Sequence, residues 1–187
     1  MNEIGLEPLM TELLERIIKP LAILLFPQEF FSSSLDHHHS FVVEYNRRIL
    51  GGDVGLDMHS DASEITLNIN LGRDFTKGGL RFCGHAGGSD LRKEQYHHEH
   101  RVGQAVLHLG RHRHGADDIE EGDRINLIVW AKSSTFRAAA AAGVCMPDGF
   151  PRSAESGLPD LMCLSRTNDE DYLEKVALVS GSGLEAF

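Results

Sequence analysis

Residues 59–71 read His59-Ser60-Asp61-Ala62-Ser63-Glu64-Ile65-Thr66-Leu67-Asn68-Ile69-Asn70-Leu71. The second half of that run alternates without a fault, with Ile65, Leu67, Ile69 and Leu71 on one side and Thr66, Asn68 and Asn70 on the other. A period of two commits the segment to a β-strand, because successive strand side chains point to opposite faces. The ordinary arrangement sends the apolar side to a core and the polar side to water. In a barrel with an internal chamber, the polar side lines the chamber instead. The His59-x-Asp61 pair just upstream favours that second arrangement. An extended segment sets its imidazole and its carboxylate on the same side, and Asn68 follows nine residues after His59.

The rest of the chain supplies more short strands with helices at either end. Residues 7–26 carry Leu9, Leu13, Ile17 and Leu21 at helical spacing, which predicts a helix packed by that stripe. Pro20 should kink or divide it, and Pro27 ends it. Residues 41–45 and 80–83 read as strands, as do 103–109 and 124–130; residues 46–53 and 72–79 read as turns. Two polar stretches read as loops: 84–101, exposed and long enough to act as a lid, and 110–122, which carries His112 and His114. Ser134 or Thr135 caps a helix through the alanines at 138–142, stopped by Gly143. Beyond Cys145 the periodicity fades, save for a short helix near 169–179. The expected organisation is a helical support region at 1–39, a core at 40–132, and a helix with a loosely structured tail at 133–187. The class is mainly β with flanking helices, a sandwich or jelly roll.

Acidic residues outnumber basic ones 28 to 18 in 187 residues, giving a net charge of −10. That disfavours nucleic acid as a partner. The most apolar run, Leu21 to Phe26, is too short to insert stably in a membrane. Cys83, Cys145 and Cys163 make no disulfide framework and no zinc spacing. With no secretory signal visible, a cytoplasmic location is expected.

Two histidines and one carboxylate on one face suit Fe(II) and leave coordination positions open. His59 and Asp61 supply two of the three; His108, His112 and His114 all compete for the third, and periodicity does not choose among them. Arg124 stands ten residues after His114. Its planar fork matches a carboxylate, such as the distal one of a 2-oxo diacid whose other end chelates the iron. Asn68 and Tyr45 are further hydrogen-bonding candidates.

Three blocks carry a family resemblance: His59 to Leu71; Gly78-Gly79 with the strand behind it; and His108 to Gly115 followed by Gly122 to Trp130. Together they resemble the catalytic domain of the prolyl and lysyl hydroxylases, within the 2-oxoglutarate- and Fe(II)-dependent dioxygenases. The pattern is similar to the procollagen lysyl hydroxylases and more so to the eukaryotic 2-oxoglutarate and iron-dependent oxygenase domain-containing proteins. The resemblance covers roughly residues 20–137. It implies a double-stranded β-helix, with His59, Asp61 and His114 as iron ligands. It further implies Arg124, Asn68 and Tyr45 on 2-oxoglutarate, and ascorbate as reductant. The implied reaction is hydroxylation of a C–H bond, on a peptidyl lysine or proline, with release of succinate and CO2. The gap between Tyr45 and His59 is longer than in the lysyl hydroxylases. Two alternatives stand beside this reading: the same chemistry on a small molecule, and a non-catalytic metal-binding jelly roll. Oligomeric state is not legible in the sequence.

Overall fold

The computed structural model describes residues 1–29, 32–85 and 96–141. In chain order the main elements are α1 (Glu7–Leu13), α2 (Lys19–Leu25), β1 (His37–Asn46), β2 (Leu56–His59), β3 (Ile65–Gly72), β4 (Phe75–Lys77), β5 (Leu80–His85), β6 (Tyr96–His98), β7 (Ala105–Leu109), β8 (His112–Ala116), β9 (Ile119–Lys132) and α3 (Ser134–Ala141). One sheet runs β1-β9-β3-β7, with β4 added to β9, and the other runs β2-β8-β5-β6. All the pairings are antiparallel. The chain crosses between sheets at β1 to β2, β2 to β3, β4 to β5, β6 to β7, β7 to β8 and β8 to β9. This wrapping is that of a double-stranded β-helix, the expected jelly roll.

The alternation in β3 holds, and both of its faces are covered. Ile65 and Leu67 enter a core against α1 and α2. Thr66, Asn68 and Asn70 are buried on the opposite face, between the sheets. β9 behaves likewise, with Leu127 and Val129 in the helix-side core and Arg124, Asn126 and Ile128 buried on the other side. A second core of Tyr45, Leu80, Phe82, Ala116 and Ile119 forms elsewhere in the fold.

Four expectations about the elements need correction. The helix does pack on a sheet, but by the neighbouring stripe. Met10, Leu14, Ile18 and Ala22 are 0–2% exposed, whereas Leu9, Ile17 and Leu21 are 49%, 45% and 37% exposed. Each turn offers an adjacent apolar pair, so spacing alone does not pick the buried member. Residues 110–122 are strand more than loop: β8 and the start of β9 lie there. The polar side chains of β8 point into an interior, where polarity misleads as a sign of exposure. Within 84–101, β5 extends to His85, β6 spans 96–98 and His100 is buried; residues 86–95 lie outside the described residues. The cap of α3 is Ser133, whose Oγ accepts from the Phe136 N–H at 3.1 Å. A cap reaches the third helical residue, and α3 starts at Ser134.

Pro20 divides the first helix as expected. A π-helical turn at Leu14–Ile18 separates α1 from α2, which accommodates a residue that lacks an N–H and crowds the carbonyl four residues back. Cys83 is fully buried and disulfide-bonded, so the step from free thiols to a reducing compartment loses its premise. Among the described residues no helix is long and apolar enough to cross a membrane. Gly143 and the expected helix at 169–179 lie outside the described residues.

The helix register generates a prediction. Ile18→Ala should destabilise the fold by about 2–5 kcal/mol, as for a buried aliphatic side chain, while Ile17→Ala should stay within about 0.5 kcal/mol. Urea unfolding of the two variants side by side checks which stripe is buried.

Candidate active site

Pairing of β2 with β8 sets His59 directly opposite His114, and the two rings sit with centroids 4.5 Å apart. Asp61 lies just past the end of β2, where its N–H donates to the Gly110 carbonyl at 2.8 Å. That close crossing requires glycine, because a Cβ on Gly110 would lie 1.9 Å from the Ser63 carbonyl oxygen. The Thr66 hydroxyl, from the polar face of β3, donates to Asp61 Oδ2 at 2.6 Å. Ser63 Oγ in turn lies 2.8 Å from Thr66 Oγ1.

Both imidazoles are oriented from behind. His59 Nδ1 donates to the Asp57 carbonyl at 2.7 Å, and His114 Nδ1 donates to the His112 carbonyl at 2.8 Å. A carbonyl only accepts, so each Nδ1 carries a proton and each Nε2 is the end turned away from the backbone. Those ends converge on one carboxylate: His59 Nε2 lies 3.3 Å from Asp61 Oδ1 and His114 Nε2 lies 3.5 Å from Asp61 Oδ2. One ligand atom from each of the three residues lies within 4.8 Å of the others. Two imidazole nitrogens, each ring held by a bond at its other end, and a carboxylate held by Thr66 are a donor set that fits Fe(II).

The electrostatics agree. Burial alone would raise the Asp61 carboxyl, but the bond from His59 and the adjacent His114 and His108 hold it well below the usual carboxylate range. Burial lowers His114. Burial also pulls His59 down, yet its bond to Asp61 and that residue's charge leave it raised. Asp61 is thus ionised and attracts positive charge into the gap between the rings.

The other two histidines of the segment are placed differently. His112 Nε2 donates to the Cys83 carbonyl at 2.6 Å, and its ring stacks on His85. His108 is buried with its ring centroid 4.3 Å from that of His114, and its Nδ1 donates to the Leu109 carbonyl.

A cavity of about 280 Å³ opens beside the three residues. Thr66, Asn68 and Tyr45 share its lining with His59, Asp61 and His114; Phe41, Val43, Leu56, Ile128 and Trp130 form its apolar wall. Phe41 and Trp130 meet edge to face at 5.1 Å. Arg124 is not in that wall. It is fully buried, and its guanidinium carbon lies 5.6 Å from the centroid of Tyr45, its register partner on β1. Its Nη1 donates to the Gly78 carbonyl at 2.6 Å, Nη2 to His100 Nδ1 at 2.9 Å, and Nε to Asn126 Oδ1 at 3.2 Å. None of these acceptors is a carboxylate. Asn126 passes the network on, donating to Asn68 Oδ1 at 2.8 Å.

Over 142 residues the chain is 42% identical to the 2-oxoglutarate and iron-dependent oxygenase domain-containing protein ICU11 of Arabidopsis thaliana, covering 73% of this chain and 35% of that one. Over 163 residues it is 44% identical to the 2-oxoglutarate and iron-dependent oxygenase domain-containing protein 2 of Mus musculus, covering 81% and 46%. This chain is a relative of the 2-oxoglutarate and iron-dependent oxygenase domain proteins. It spans less than half the length of these two relatives. No family model matches it. Among solved structures, a Pseudomonas putida prolyl-4-hydroxylase aligns with 59% of each chain at 19% identity and a TM-score of 0.43.

Of the residues singled out from the sequence, His59, Asp61, His114, Asn68 and Tyr45 meet at one cavity, and Arg124 stands behind Tyr45. Sequence reasoning missed the parts played by Thr66, Asn126 and His100. Thr66 and Asn126 carried a usable signal, being polar members of alternating strands. His100 carried none, since it sits between elements in a His-rich stretch.

These bonds predict a graded set of metal affinities. Asp61→Ala and His114→Ala should abolish tight Mn(II) or Fe(II) binding, whereas His112→Ala should leave it near wild type. Thr66→Val, which keeps shape but removes the donor to Asp61, should weaken binding by about 10–100-fold. Calorimetric titration of the folded variants measures each.

Proposed function

We propose that this chain carries an Fe(II)- and 2-oxoglutarate-dependent dioxygenase centre, with His59, Asp61 and His114 as metal ligands and residues 40–132 as its core. The observation that carries the reading is the buried Arg124 guanidinium, bonded to no carboxylate among the described residues, beside a cavity that contains the three ligands. A full positive charge taken out of water with only neutral partners costs several kcal/mol. An acidic co-substrate offsets that cost when it binds. A non-catalytic metal-binding jelly roll gives Arg124 no such role.

Fe(II), when bound, supplies the oxidising chemistry that couples loss of CO2 from 2-oxoglutarate to insertion of one oxygen atom of O2 into a C–H bond. The overall balance is 2-oxoglutarate, O2 and substrate going to succinate, CO2 and hydroxylated substrate. The protein's own residues position and shield. Arg124 holds the distal carboxylate, and Tyr45 and Asn68 line the path between it and the ligands. Burial pushes the Tyr45 phenol up to about 12, so it remains a neutral donor. The wall of Phe41, Val43, Ile128 and Trp130 excludes water from the reacting bond. Ascorbate is proposed as the reductant that sustains turnover.

The substrate proposed is a peptidyl lysine or proline. The supporting observation is that β1 and β2 both line the cavity and are the end strands of their sheets. Its mouth is therefore flanked by strand edges, which suit an extended polypeptide better than an enclosed metabolite. Succinate release with Fe(II) and 2-oxoglutarate, screened over peptide pools and over small molecules, tests this. Stimulation by metabolites alone would favour the small-molecule alternative, and metal retention without any succinate would remove the enzymatic reading.

Arg124→Lys makes a sharper test, because lysine keeps the charge but not the two-bond fork. Loss of one charge-assisted bond, about 1.5–3 kcal/mol, should raise the KM for 2-oxoglutarate by roughly one to two decades. Metal affinity should not change. Steady-state kinetics and metal titration on the one variant separate the two roles.

A further inference from the structure

We propose that His100 is a positioning residue: its unprotonated Nδ1 fixes the Arg124 guanidinium in the orientation that receives the distal carboxylate of the co-substrate. The proposal rests on the reading of Arg124 given above.

The tautomer of His100 follows from its other nitrogen. His100 Nε2 lies 3.2 Å from the Gln104 carbonyl, which only accepts, so Nε2 carries the proton and Nδ1 is bare. That bare nitrogen takes a hydrogen bond from Arg124 Nη2 at 2.9 Å. Burial, and then the charge of Arg124, push the His100 pKa down to about 4. At neutral pH the ring is therefore uncharged and remains an acceptor. The residue itself is held in place, because Asn70 Nδ2 donates to the His100 carbonyl at 3.1 Å while Asn70 Oδ1 accepts from the Gly72 N–H. His100 is 2% exposed.

The count of donors explains why these contacts aim the guanidinium rather than block it. Arginine has five N–H groups. Asn126, Gly78 and His100 take three of them, at 3.2, 2.6 and 2.9 Å, and the contact to the Gly79 carbonyl is long at 3.5 Å. About two N–H groups remain, the number a carboxylate accepts in a two-bond fork. All three acceptors are neutral, so the guanidinium is oriented without its charge being cancelled. Asp117, the carboxylate whose charge reaches Arg124, is bonded instead to Arg81 at 3.3 Å and His97 at 2.9 Å.

The experiment titrates 2-oxoglutarate into the full chain loaded with Mn(II), without oxygen, so that binding is read without turnover. His100→Phe keeps a ring of similar size and removes the acceptor; it should weaken 2-oxoglutarate binding by about tenfold, the loss of one bond to a charged group. His100→Asn restores an acceptor and should return affinity to near wild type. Mn(II) affinity should be the same in all three proteins. In an Arg124→Ala background, His100→Phe should have no further effect, an outcome that a merely structural role would not produce. Should His100→Phe fail to fold, His100→Ala takes its place in the same cycle. Unchanged or tighter 2-oxoglutarate binding in the folded His100 variant, with weakened binding in Arg124→Ala, overturns the positioning role and leaves the reading of Arg124 intact. Unchanged binding in Arg124→Ala overturns both.

Discussion

The Arg124 guanidinium, buried and bonded to no carboxylate among the described residues, is the constraint on which the rest of this structure turns. Proteins rarely bury a charge unpaired, because desolvation is costly and is not recovered from neutral partners in full. Here three neutral acceptors, from the Gly78 turn, from His100 and from Asn126, reduce the cost. None of the three carries a charge opposite to that of the guanidinium. A sheet residue held in that state is poised for an anion. The cluster of His59, Asp61 and His114 on the far side of Tyr45 carries the opposite tendency, since Asp61 is ionised and draws cationic charge between His59 and His114. A molecule that ligates a metal with one end and presents a carboxylate at the other satisfies both.

The element that links these two poles is β3. Its polar face does three separate jobs in five residues: Thr66 bonds Asp61, Asn68 bonds Asn126, and Asn70 bonds the main chain of His100. Asp61 and the network of Arg124, Asn126 and His100 are thereby hung on one strand. That strand is anchored by Ile65 and Leu67 in the helix-side core. At its N-terminal end the buried Glu64 accepts from the Ser133 N–H at 2.6 Å and pairs with Arg137 at 2.7 Å, so α3 is tied to the same strand. Placing a site on a central strand rather than on loops keeps its geometry within narrow limits.

What could be read from the sequence was whatever periodicity and motif spacing report. The alternation in β3 and β9 gave both strands and their faces, and the His59-x-Asp61 pair pointed to the cavity where His59, Asp61 and His114 meet. Three things escaped, each for a physical reason. In the first helix, apolar residues occur in adjacent pairs at 9–10, 13–14, 17–18 and 21–22, so two stripes were equally apolar and only packing against the sheet chose between them. In β8, His112, Arg113 and His114 looked like loop composition because polar residues usually face water, but this strand's neighbours include a polar chamber. His100 is far in sequence from both Asn70 and Arg124, and contacts of that kind leave no local trace.

The doubly buried β3 strand has one further consequence, for how the molecule is assembled. Side chains on a strand swap faces with every residue, so a slip of one position in the pairing of β3 with β7 or β9 would turn Ile65 and Leu67 into the chamber and push Thr66, Asn68 and Asn70 against the helix. No slipped register satisfies either side. A strand with one face in water can tolerate such errors for a time, whereas this one loses its core and its polar network together. The same residues that shape the chamber therefore act as a proofreading device for strand pairing, and chains that mispair here have no comfortable place to rest.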